Sequence, residues 1–134
     1  MKESFLPDMI RYLTAKYENE PERPWVRAPA YIVFRHRDNS RIYAILATVP
    51  ASKLGIQAES TMDVLTVKVG DPLLREILLE REGFFPGLGF GQWAWVTIPL
   101  DGTVASEEME ALADRSFLLT ASQKTKKRWS SPYA

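Results

Sequence analysis

The 134-residue chain contains no cysteine and a single histidine. The first absence excludes disulfides, thiolate nucleophiles and zinc–thiolate sites; the second excludes a histidine-based metal cluster. No metal and no cofactor are therefore expected. Net charge is also absent, with 17 Lys and Arg against 17 Asp and Glu, so no overall field draws in a polyanion. Neither an internal repeat nor a low-complexity run interrupts the chain. The first thirty residues hold mixed charges and no apolar signal core, which makes a cytoplasmic location the expectation.

Charge is missing locally as well, from Gly83 to Leu100. Gly83, Gly87, Gly89, Gly91, Pro86, Pro99 and Gln92 would break or burden a helix in a bilayer, so this run does not predict a membrane span. The Gly87-x-Gly89-x-Gly91 spacing lacks the Lys-Ser/Thr pair of a phosphate-binding loop and matches no dinucleotide fingerprint. What the run does contain is aromatic: Phe84, Phe85, Phe90, Trp93 and Trp95. Large apolar side chains between flexible glycines read as a hairpin around which the core is built. On its second arm, Ala94, Val96, Ile98 and Leu100 fall on one face, with Trp93, Trp95 and Thr97 on the other.

Taken in order, Leu6, Ile10, Leu13 and Tyr17 recur at helical spacing after Ser4, a residue able to cap them. Three prolines between Asn19 and Pro29 predict an extended, irregular segment pinned by Trp25. Ala30–His36 and Arg41–Val49 predict a β-hairpin with a polar tip, and Met62–Val69 a third strand after a loop. Asp71-Pro72 opens a helix whose buried stripe is expected to be Leu73, Leu74, Ile77 and Leu78. After the aromatic hairpin, Ser106 is placed to cap a last helix with the stripe Met109, Leu112, Ala113, Ser116 and Phe117. Residues 1–122 form a single domain in this reading, and 123–134 a basic, frayed tail. Short connections favour antiparallel pairing. The predicted class is α+β: two layers, α-β(3)-α-β(2)-α, with helices covering a five-stranded antiparallel sheet.

Three classes of function are open to such a chain. A nucleic-acid partner would be held by Arg35, Arg37 and Arg41 together with Lys124, Lys126, Lys127 and Arg128, because cations on phosphates supply most of that affinity. The charge distribution permits this: residues 22–58 carry six Lys or Arg against two acids, whereas 83–114 carry no base at all. Any such binding is expected to be weak and electrostatic. Enzymatic activity is not expected, since no nucleophile elbow is present and His36 has no partner pattern around it; no catalytic residue is assigned. The third class is a protein-binding or apolar-ligand module. Phe90 and Trp93 would form its interaction surface, most simply toward a second copy.

Several short motifs occur in a familiar order: Pro24-Trp25, Val33-Phe34-Arg35-His36 with Asp38-Asn39, Val49-Pro50 with Ser52-Lys53-Leu54-Gly55, and Asp63-Val64-Leu65. Asp71-Pro72, Phe85-Pro86-Gly87, Trp95-Val96-Thr97, Leu100-Asp101-Gly102 and a final helix holding Asp114 and Ser116 follow. Together they resemble the MmcQ/YjbR family across nearly the whole chain. The resemblance implies the α-β(3)-α-β(2)-α fold, similar to type III secretion chaperones and frataxin (CyaY)-like domains, and a DNA-binding label. The chain departs from the family after Phe-Pro-Gly. Relatives there commonly run Tyr-His-Met-Asn-Lys, one variable residue, then His-Trp; Leu88 to Ala94 replace all but the final Trp95.

Overall fold

The computed structural model describes residues 4–88 and 94–130. Helix α1 (Leu6–Tyr17) is followed by strands β1 (Tyr31–Arg35) and β2 (Ile42–Pro50), a short 3₁₀ turn at Ala51–Leu54, and β3 (Thr61–Lys68). Then come α2 (Pro72–Leu79), β4 (Phe85–Pro86), β5 (Trp95–Pro99), α3 (Ser106–Thr120) and α4 (Gln123–Ser130). The five strands form one antiparallel sheet in the order β1-β2-β3-β5-β4. The expected α+β architecture is present, with α4 added to it.

Alternation along the strands sorts residues as expected. Leu65 and Val67 on β3, with Val96 and Ile98 on β5, meet Met9 and Leu13 of α1 and Met109, Ala113 and Phe117 of α3 in the main core. On the opposite face, Ala47, Val49 and Val64 form a smaller cluster with Tyr31, Leu54, Met62 and Leu88. Thr66 and Thr97, also on that face and buried, bond to each other at 2.8 Å. The centre of the sheet is β3 rather than the aromatic hairpin, which supplies one edge. Among the described residues of its first arm, Phe85 and Pro86 form the strand that pairs with β5, and Pro86, lacking an N–H, suits an edge.

Four local expectations are corrected. Ser106 is the first residue of α3, not its cap; Ala105 takes that place without a side-chain bond. Ser4 lies one residue before the cap position of α1, although its Oγ still accepts the Leu6 N–H. Asp71 does cap α2, accepting from the Leu73 N–H at 3.0 Å, but Leu73 and Ile77 are 69% and 52% exposed. Leu78 alone in that helix is fully buried, because α2 meets the body at the sheet edge and offers it a narrow stripe. Finally, residues 123–130 form a helix where a frayed tail was expected. Trp95, half-buried, packs its Cβ against Gly87. The proposed interaction surface, Phe90 and Trp93, lies outside the described residues.

Candidate functional site

Helix α4 exists because of contacts distant in sequence. Ser122 Oγ accepts the Thr125 N–H at 3.2 Å, a cap that satisfies one of the free donors of the first turn. The same hydroxyl donates to Asp38, at the tip of the β1–β2 hairpin, and Thr125 Oγ1 donates to the same carboxylate at 3.1 Å. Those bonds, that of Ser122 above all, hold the Asp38 carboxyl below its ordinary range. Asn39 Nδ2 donates to the Thr120 carbonyl at 3.0 Å. At the far end of α4, Trp129 meets Tyr17 and Phe117 edge-on, at 4.9 and 5.6 Å between ring centres. A local signal for this helix was present in the sequence, Ser122 three residues before Thr125, with Trp129 one turn further along.

His36 is the pivot of this junction. It is 4% exposed, and its Nε2 lies 3.0 Å from the Phe117 carbonyl and 2.9 Å from Thr120 Oγ1. A carbonyl only accepts, and the Thr120 hydroxyl has the Ser116 carbonyl to donate to at 2.8 Å, so Nε2 carries the proton of a neutral ring. Burial pushes the imidazole pKa below its usual value. Above about pH 6.5 the ring is neutral in folded and unfolded chains alike; below it the unfolded chain takes up a proton that the folded one resists. Stability should therefore fall with pH from about 6.5 downward, by at most about 1.4 kcal/mol per unit, levelling off below the folded-state pKa. The depressed carboxyls of Asp38 and Glu108 act in a separate window, below about pH 4. Urea midpoints between pH 7.5 and 5.5 check this, with His36→Gln expected to flatten the slope; an unchanged slope in the variant would contradict it.

The junction gathers the two basic segments of the chain. Arg37 and Arg41 are exposed at the hairpin tip, and Lys124, Lys127 and Arg128 are exposed on α4, with Lys126 half-buried. Among the described residues, Arg41 and the four α4 cations form no salt bridge. Arg35 is different: its Nε is 3.0 Å from Glu22, so its charge is already matched. Arg37 donates to the Glu18 carbonyl, which fixes its guanidinium without neutralising it. Lys127 and Arg128 sit in the last turn of α4, where the helix dipole favours cations.

Beside this face, α1 and α3 are joined through Asp114. Tyr12 and Tyr17 donate to its two oxygens at 2.7 and 2.5 Å, and Lys16 Nζ lies 2.8 Å from Oδ2. Tyr12 and Lys16, one turn apart and in contact at 3.2 Å, have the spacing of a catalytic phenol and its lysine. Their electrostatics oppose that use: burial and the adjoining carboxylate push both phenols above the ordinary tyrosine value, away from ionisation near pH 7. Among the described residues, no group of three or more His, Cys, Asp or Glu is placed to hold a metal ion. No helix among them is long and apolar enough to cross a membrane.

The stretch 14–119 matches the YjbR family; it includes the hairpin tip, His36, Lys16, Tyr17 and Asp114, whereas Tyr12, Thr120 and α4 lie outside it. The chain belongs to the YjbR family. It is 30% identical over 113 residues to YyaQ of Bacillus subtilis (strain 168), a match covering 84% of this chain and 95% of that protein. Among solved structures, a crystal structure of a Pseudomonas syringae protein superposes with a TM-score of 0.83 at 36% identity, covering 87% of this chain and 98% of the other. A solution structure from the same organism gives 0.76 at 36% identity, covering 87% and 93%. Deinococcus radiodurans protein DR2400, at 23% identity and a TM-score of 0.70 over 96% and 90%, shares the fold. In this YjbR domain the family-like motif residues Asp38, Asn39, Asp114 and Ser116 all act as ties between elements.

Proposed function

We propose that this YjbR domain is a non-catalytic binding module that holds a nucleic-acid backbone on the basic face formed by the hairpin tip and α4. One observation carries the reading: Asp38 binds Ser122 and Thr125 at the start of α4, while His36 and Asn39 bind Thr120 at the end of α3, and these ties bring Arg37 and Arg41 to the same junction as Lys124, Lys127 and Arg128. Because the elements that carry these cations are already tied together, engaging phosphates does not first require bringing the two segments to one place. Contacts of cations with phosphates fix position on the backbone and carry little sequence preference. The raised phenol pKa values around Asp114 support a role without proton-transfer chemistry.

Fluorescence anisotropy with labelled duplex and single-stranded DNA tests this. If about four phosphates are engaged, log K falls with log salt at a slope of about −3.6, roughly a hundredfold loss between about 50 and 200 mM. Lys124→Glu with Lys127→Glu, both exposed, should weaken binding at least about tenfold at the lower salt while leaving the fold intact. Affinity indifferent to salt, or equal in the charge-reversed variant, would refute the assignment.

A further inference from the structure

We propose that the cleft at the opposite end of β2 from the basic face is a binding site for a small organic ammonium ion with an apolar body. The cleft has a volume of about 780 Å³ and lies between the 51–60 connection, the start of β3 and the turns that flank β4 and β5. That volume falls within the range of small-ligand sites, roughly 300–1,000 Å³, and is too confined for a folded partner. Met62, Phe85 and Leu100 contribute apolar surface to it. Its charged lining is of one sign: Asp63, Glu82 and Asp101, with no Lys, Arg or His among the described lining residues.

The central carboxylate is held in place before any ligand arrives. Asp63 accepts from Ser4 Oγ on one oxygen and from Thr48 Oγ1 at 2.5 Å on the other. Each oxygen retains a lone pair for a further donor. Asp101 is fixed by the Thr103 N–H at 3.0 Å, whereas Glu82 is exposed at the margin and makes no hydrogen bond among the described residues. An alkyl or arylalkyl ammonium satisfies both parts of this lining, its body on the apolar surface and its charge on the carboxylates. An anion of the same shape satisfies only the first, and three like charges oppose it.

Amide-resolved NMR titration with phenethylammonium chloride, and with sodium 3-phenylpropionate as the matched anion, decides the matter. The ammonium should give saturable shifts centred on Asp63, Phe85 and Asp101, and the anion none. Glu82→Gln, which removes no internal bond, should weaken the ammonium about threefold. Asp63→Asn should weaken it about tenfold. Should that variant fail to fold for want of its bonds to Ser4 and Thr48, Glu82→Gln carries the test. Equal binding of the anion, wild-type affinity in Glu82→Gln, or no saturable shift up to about 50 mM would each overturn the proposal.

Discussion

Ser116→Ala is expected to lower the unfolding free energy by about 2–4 kcal/mol, although alanine is the better helix former. The reason lies in the β2–β3 ladder. Pairing runs without interruption from Pro50↔Thr61 to Ala44↔Val67, and the next step would oppose Tyr43 to Lys68. On its other side Tyr43 is passed over, because β1 shifts register between Phe34↔Ala44 and Arg35↔Ile42. The bulge leaves the Tyr43 carbonyl and the Lys68 N–H apart, and Ser116 Oγ enters between them. It donates to the carbonyl at 2.6 Å and accepts the N–H at 2.9 Å. Ser116 is 0% exposed, so its loss strands two backbone groups at about 1–3 kcal/mol each, against a gain of a few tenths in helix propensity. Denaturant unfolding measures the difference. A loss below about 0.5 kcal/mol would show that the ladder closes on itself without the hydroxyl.

That bulge is also where local reading of the chain reaches its limit. The strands, the α1 and α3 stripes and the cap at Asp71 are local patterns, governed by residues within one turn or one pleat of each other, and they were legible. Ser116 was placed correctly on the buried face of α3, but its partners lie 48 and 73 residues away and no periodicity encodes them. Helix α4 was missed for the same reason. Seven polar or basic residues in its eight outweighed the Ser122 cap, and the ties that settle the matter come from Asp38 and from Tyr17 and Phe117. For Leu73 and Ile77 the period was right and the burial was not. A helix that meets the sheet only at its edge buries one row of its apolar face, and sequence spacing does not report the width of the surface it meets. The basic residues were recognised as two separate segments; their union depends on contacts between residues 81 to 87 apart.

Gly87→Ala should be the more damaging of two superficially similar substitutions, costing about 2–3 kcal/mol against about 1 kcal/mol for Gly55→Ala. Gly55 has a φ of +76°, so an alanine there is strained in its backbone, but its side chain would meet open space. Gly87 has no such conformational demand. A Cβ at Gly87 would instead lie 2.5 Å from Trp95 Cβ and 3.0 Å from both the carbonyl carbon and oxygen of Trp95. Two of those three atoms are backbone, so no rotamer change relieves the clash, and the arms of the hairpin must separate. Separation removes the Gly87 N–H bond to the Trp95 carbonyl, 3.0 Å long, which extends a β4–β5 pairing of only two residues. With so short a ladder, loss of one adjoining bond should release β4 locally before the domain unfolds. Hydrogen exchange provides the discriminating readout. In Gly87→Ala, amides of 85–88 should lose protection while those of β2 and β3 keep theirs; in Gly55→Ala, protection across the hairpin should match the wild type. Equal stability losses with uniform loss of protection would mean that the Phe85-Pro86-Gly87 glycine serves some need other than the close approach of Trp95.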